Sequence, residues 1–149
     1  MKINVIGSGT WGIVFASYLV KNNHNLTVYH RNTQKSKSIL KNNIHPNLPN
    51  FNIPEQIHFT SNLDELDFTN LTILAVSSNA LGKYITSINS KNSKILVLSK
   101  GFDLSSRLLP PELLSRKFDK NNIAVLSGPN HAEEIAENKP TTTIISSIN

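Results

Sequence analysis

Apolar positions along the chain switch period from segment to segment. "KINVIG" (2–7) is a short, nearly continuous apolar run that stops at a glycine, as expected of a strand covered on both faces. In "TWGIVFASYLVKN" (10–22), Ile13, Ala16, Ser17, Leu19 and Val20 fall on one face at helical spacing, so a helix is predicted there. "NLTVYHR" (25–31) reads as a second strand and 33–43 as a helix. Pro46, Pro49 and Pro54 then interrupt 44–56, which is predicted to be irregular over much of its length. A short strand is expected around "IHFT" (57–60). The runs "LTILAVSS" (71–78), "KILVLSKG" (94–101) and "IAVLSGP" (123–129) are β-branched with little alternation, separated by helical stretches at 80–88, 105–118 and 131–138. "TTTIISS" closes the chain. Strand and helix alternate throughout, which predicts an α/β domain: a doubly wound, mostly parallel sheet with helices on both faces. Ligands of such sheets bind beyond the carboxyl ends of the strands, which makes "GSGTWG", "YHRN", "VSSN", "LSKG" and "LSGPN" the stretches to read for chemistry.

Bulk properties narrow that picture. At 149 residues and 38% hydrophobic, the chain can bury the core of one ordinary domain, expected over 1–149. It has no cysteine, so disulfides, thiolate metal sites and thiol nucleophiles are excluded. No apolar run reaches the length of a membrane span and the start does not read as a signal peptide, so a cytoplasmic location is expected. The net charge of +5 comes from lysines scattered through Asn-rich loops. No nucleic-acid-binding pattern accompanies it, and nucleic acid is not an expected partner. The five histidines, His24, His30, His45, His58 and His131, lack metal-ligand spacing, and no metal site is expected. Asp64, Glu65 and Asp67 read as the solvated end of a short helix.

The sharpest signal is Gly7, Gly9 and Gly12, spaced G-x-G-x-x-G between the first strand and the first helix. In that context each glycine has a task. Gly7 takes the tight turn, Gly9 lets backbone approach a pyrophosphate, and Gly12 lets the helix pack close to the sheet. The helix N-terminus then offers free N–H groups and partial positive charge to phosphates. A dinucleotide is therefore the expected ligand. The second strand ends in Tyr29, His30 and Arg31 rather than in the acid that usually holds a free ribose 2′-hydroxyl. Arg31 suits a 2′-phosphate, so NADP(H) is favoured over NAD(H). His30 reads as a neutral packed ring at the adenosine end. Lys100, at the end of a central strand beside Gly101, can act as a point charge toward a substrate phosphate or carbonyl oxygen. Asn130 and Glu133 have the spacing of a capping box, which starts a helix just after Gly128-Pro129.

Taken together, the ordered set "GSGTWG", "YHRN", "NNIHPNLPNFNIPEQI", "LAVSS", "LSKGFD" and "VLSGPNHAEEIA" resembles the amino-terminal, cofactor-binding domain of the NAD(P)-dependent sn-glycerol-3-phosphate dehydrogenases. The resemblance implies a Rossmann-type domain of an oxidoreductase that passes a hydride between the nicotinamide and dihydroxyacetone phosphate, giving sn-glycerol 3-phosphate for phospholipid synthesis. By position, it places Thr10, Trp11 and Arg31 on the cofactor, Lys100 on both cofactor and substrate as the catalytic residue, Gly128 and Asn130 on the substrate side, and Ala132 on the cofactor. It implies a helical second domain that grips the phosphorylated three-carbon substrate and supplies a general acid/base. That domain is absent from this chain, which is expected to be inactive alone, and a homodimer is compatible with the full-length enzyme. In two places the chain departs from the family pattern: Gly128-Pro129-Asn130-His131-Ala132 stands where Gly-Pro-Ser-Phe-Ala is common, and "VSSN" replaces Val-Pro-Ser. The alternatives are a stand-alone nucleotide-binding module, regulatory or degenerate, and the first domain of another Rossmann dehydrogenase of 6-phosphogluconate or ketopantoate type. An exposed apolar patch where a second domain docks favours the first reading over the module.

Overall fold

The computed structural model describes residues 1–148, with the side chains of all of these except 35–38 and 40. Asn149, the last residue of the expected domain, lies outside that range. Strands β1 (Lys2–Ile6), β2 (Asn25–Tyr29), β5 (His58–Thr60), β6 (Leu71–Leu74), β7 (Lys94–Val97), β8 (Ile123–Ser127) and β9 (Ile144–Ser147) form one seven-stranded sheet. Its order is β5-β2-β1-β6-β7-β8-β9, with all pairings parallel except β8 with β9. The chain leaves β1 to one side for β2 and later returns to its other side for β6. That reversal opens a crevice at the carboxyl ends of β1 and β6.

Alternation of side chains along the central strands fills two separate layers. Ile3, Val5, Val28, Ile73 and Leu96 face helix α1 (Thr10–Val20), α2 (Thr33–Asn42) and the segment around Ile53 and Ile57. Ile6, Tyr29, Leu74, Ile95 and Val97 face α3 (Leu81–Ser87) and α4 (Pro110–Leu114). Near-continuous apolar runs in β1, β6 and β7 are thus what a sheet covered on both faces demands. Edge strand β9 is different, since Ile144 and Ile145 are exposed, as is Ile148 just beyond it. Among the described residues, no helix is long and apolar enough to cross a membrane.

Two expected segments come out differently. Residues 44–56, expected to be irregular because of their prolines, contain a small antiparallel hairpin of β3 (Ile44–His45) and β4 (Leu48–Asn52). Pro46 falls in its turn, and a two-stranded ribbon leaves each strand an outward edge on which Pro49 needs no N–H. The helix expected over 105–118 is reduced to α4. Upstream of it, Asp103 accepts hydrogen bonds from Ser105 Oγ (2.6 Å), Ser106 N (2.8 Å) and Ser106 Oγ (2.7 Å), and Arg107 adopts φ +56°, so the chain closes a loop there. Pro110 and Pro111 then start α4 where a missing N–H costs nothing. The serine donors hold the Asp103 carboxyl below its ordinary pKa. Asp64 and Glu65 sit in a short 3₁₀ turn, Leu63–Glu65, close to the expected solvated helix end.

Lys117 joins the two helices on the second layer. Its ammonium donates to the carbonyls of Ile85 (2.8 Å), Thr86 (3.2 Å) and Ile88 (2.6 Å), the otherwise unpaired C-terminal end of α3. Lys117→Met keeps the apolar stem and removes the donor, and is expected to lower stability by about 1–2 kcal/mol in urea unfolding. An unchanged midpoint would show that water replaces the ammonium there at no cost.

Candidate functional site

The glycine loop meets the crevice as its spacing requires. Gly7 has φ +114°, and a Cβ on it would lie 2.4 Å from the Ala75 carbonyl oxygen. A Cβ on Gly12 would lie 2.1 Å from the Gly7 carbonyl oxygen, so α1 can press onto the loop only with glycine there. Gly9 is the opposite case: its Cβ position is open, with nothing within 4 Å. Gly9 is also the N-cap of α1, which has no side-chain cap and no acidic residue in its first turn. The positive end of α1 is therefore uncompensated by its own residues.

Two adjoining cavities lie along the strand ends. The first, of about 630 Å³, is floored by residues 7–10 and walled by His30 and Arg31 after β2, the hairpin tip at residues 45–47, Ala75 to Ser77 after β6, and Tyr84. The second, of about 290 Å³, has Thr10 and Trp11 on one side, Leu98 to Lys100 on another, and Asn130 to Glu133 on a third. Thr10, Ala75 and Val76 belong to both, so the two form one elongated trough across the N-terminus of α1.

At the first end, Arg31 is exposed and makes no salt bridge among the described residues. Burial, and after it the neighbouring Tyr84, push the Tyr29 phenol above its ordinary pKa, against the opposing effect of Arg31, so it stays neutral. The rings of Tyr29 and Tyr84 meet edge-on at 5.8 Å. His30 Nδ1 accepts the Asn32 N–H at 2.8 Å, as an unprotonated nitrogen must.

At the second end, Lys100 Nζ donates to the Gly128 carbonyl (3.0 Å) and to Asn130 Oδ1 (3.4 Å). Asn130 is buried, and its amide nitrogen reaches Thr143 Oγ1 at 3.0 Å. The expected Asn130–Glu133 capping box is not formed. Helix α5 (Ala132–Ala136) begins one residue later, with His131 at its N-cap and no side-chain cap bond, because the Asn130 amide is committed to Lys100 and Thr143. Gly128 enters the site through its carbonyl, while its Cα faces Thr142, whose oxygen a Cβ would meet at 2.5 Å. Ala132 is buried beside Val14, Leu48 and Trp11.

Trp11 lies between these parts. Its ring packs against Phe15 at 5.9 Å and joins the clusters around Val14, Leu48 and Ala132, wedging α1, β4 and α5 apart at the head of the second cavity. Its indole N–H is buried without a hydrogen-bond partner among the described residues, an arrangement that leaves a donor to be satisfied by water or ligand. The open Gly9, the uncapped α1 and this orphaned donor fit an elongated, phosphate-bearing group.

Comparison with known proteins then decides the family. A family model described as the NAD-dependent glycerol-3-phosphate dehydrogenase N-terminus matches residues 2–149. The chain belongs to that family. Among similar proteins, a glycerol-3-phosphate dehydrogenase [NAD(P)+] of Fusobacterium nucleatum is 36% identical over 156 residues, covering 100% of this chain and 47% of the relative. One from Neorickettsia sennetsu is 37% identical over 141 residues, covering 92% of this chain and 42% of the relative. The crystal structure of glycerol-3-phosphate dehydrogenase from Coxiella burnetii superposes with a TM-score of 0.84 at 25% identity, covering 99% of this chain and 47% of that one. The chain therefore spans about half the length of the relatives it matches.

The trough unites the expected residues Gly7, Gly9, Thr10, Trp11, Arg31, Lys100, Asn130 and Ala132. Residues 45–47 and Tyr84 also line it, and sequence reasoning missed them. The prolines hid the hairpin, although "IHPNLPN" stands among the stretches that carry the resemblance. The glycines give the sharpest check. Gly9→Ala has room to fold and is expected to keep the unfolding midpoint while weakening dinucleotide binding by about tenfold or more. In Gly12→Ala, overlap with fixed backbone outweighs the gain in helix propensity of about 1 kcal/mol, so net destabilisation in urea unfolding is expected. Equal behaviour of the two variants would contradict this division of labour.

Proposed function

We propose that this chain is the cofactor-binding half of a glycerol-3-phosphate dehydrogenase that reduces dihydroxyacetone phosphate to sn-glycerol 3-phosphate in the cytoplasm, with a preference for NADP(H). The observation that carries this reading is the continuous trough, with an arginine that makes no salt bridge among the described residues at one end and a held lysine at the other. Gly7, Gly9, Gly12 and Thr10 take the pyrophosphate on the N-terminus of α1. Arg31 pairs with the 2′-phosphate, for which its planar fork is suited. Trp11 and Ala132 flank the nicotinamide half. A nicotinamide cofactor, when bound, supplies the hydride. Lys100, oriented by the Gly128 carbonyl and Asn130, offers its remaining N–H to the substrate carbonyl oxygen, where negative charge grows as the alcohol forms.

One lysine cannot orient the substrate, grip its phosphate and transfer the proton at once. The reaction therefore draws on a second unit, in keeping with the relatives' greater length. The exposed isoleucines on and beside β9 form an apolar edge of the kind another polypeptide covers.

Calorimetric titration of Arg31→Ala tests the cofactor assignment. NADPH affinity is expected to fall by about 10- to 100-fold while NADH affinity stays within about threefold. Parallel losses for both nucleotides would remove Arg31 from the 2′-phosphate. The 149-residue chain is expected to bind nucleotide without oxidising it in the presence of dihydroxyacetone phosphate. Measurable turnover would contradict the need for a second unit.

A further inference from the structure

Among the described strands of the large sheet, β9 alone runs antiparallel to its neighbour, so it brings its amino end rather than its carboxyl end to the crevice. The pairing of Ser127 with Ile144 continues past both strands and lays Thr142 and Thr143 against the Gly128 turn. The fit there is close. A Cβ on Gly128 would lie 2.5 Å from the Thr142 carbonyl oxygen, 3.0 Å from Asn130 Nδ2 and 3.3 Å from Thr143 Cα. We propose that Thr143 is a positioning residue for Lys100, its hydroxyl holding the Asn130 amide with the oxygen turned toward the ammonium. Its bearing on function rests on the reading of the trough as a dinucleotide site with Lys100 at the substrate end.

The two ends of a carboxamide have nearly the same shape and opposite chemistry, since the oxygen accepts and the nitrogen donates. Asn130 is 7% exposed, so each end needs a partner. Its Oδ1 accepts from Lys100 Nζ at 3.4 Å, while its Nδ2 donates to Thr143 Oγ1 at 3.0 Å and to the Thr142 carbonyl at 3.5 Å. Turned over, the amide would aim an N–H at an ammonium that can only donate. The bond to Thr143 is the shortest of the three, and it fixes the amide in the accepting direction. Lys100 also donates to the Gly128 carbonyl at 3.0 Å, so one turn, backed by the start of β9, supplies both oxygens that aim it. Two N–H groups of the ammonium are thereby directed, and the third is left to the cavity that Lys100 lines. Holding a long side chain in advance lowers the ordering cost for a ligand that meets it.

Thr143→Val keeps the shape of the side chain and removes the hydroxyl, whereas Thr143→Ser keeps the hydroxyl. Acylation of the folded 149-residue protein with acetic anhydride, read by peptide mass spectrometry, compares Lys100 with Lys117, which is held at the end of α3. An amine freed from one of its two oxygens reacts faster. Relative to Lys117, Lys100 is expected to label about fivefold faster in Thr143→Val and in Asn130→Ala, and within about twofold of the parent in Thr143→Ser. Thr143→Val is expected to add nothing to Asn130→Ala, because it acts through that amide. Melting curves serve as the control for folding. Parent-like labelling in Thr143→Val, which would mean that water replaces the hydroxyl, would overturn the proposal. Equal changes in both Thr143 variants, or additive effects in the double variant, would overturn it as well. Failure of the unmodified protein to bind NADPH or NADH in calorimetry would instead overturn the dinucleotide reading, while the labelling still decides the role of Thr143.

Discussion

The close approach of α1 to the strand ends is the constraint on which the site depends. A helix can present its positive end to a ligand in the crevice only if its first turn lies against the loop after β1, and that contact leaves no room for a side chain at residue 12. Gly7 meets the same demand from below, where β6 passes through Ala75. The strand order creates the crevice, and the two glycines let the helix reach it. Gly9 alone is left open, and it is the position from which backbone can face a ligand.

Around this contact the other strand ends divide the trough electrostatically. Arg31, which makes no salt bridge among the described residues, lies at one end. Lys100 is bound to a carbonyl and an amide oxygen at the other, which fixes its direction without neutralising it. Trp11 lines the second cavity, and its size is explained by what it touches. A small residue in its place would leave a gap between α1, β4 and α5, whereas the indole fills it.

Much of this was legible in the sequence because it rests on local rules. The apolar runs of β1, β6 and β7 announce a doubly covered sheet, and the three glycines state their tasks by spacing. The hairpin at 44–52 was not legible, because proline penalises a strand by its missing N–H and a two-stranded ribbon removes that penalty on its outer edges. The helix over 105–118 failed for a related reason. Asp103 gathers Ser105 and Ser106 into a turn, and side chains of this kind compete with helical backbone only where the loop around them allows it. Asn130 has the look of a cap in the sequence because its spacing to Glu133 is local, while its partners, Lys100 and Thr143, are distant in sequence.

Binding of a nicotinamide dinucleotide in the trough over α1 can be followed by titrating the protein with NADPH and NADH while recording the fluorescence of Trp11, its single tryptophan. A saturable change is expected with both nucleotides, stronger and at lower concentration for NADPH. A folded protein that shows no change with either nucleotide, and no heat of binding, would contradict it.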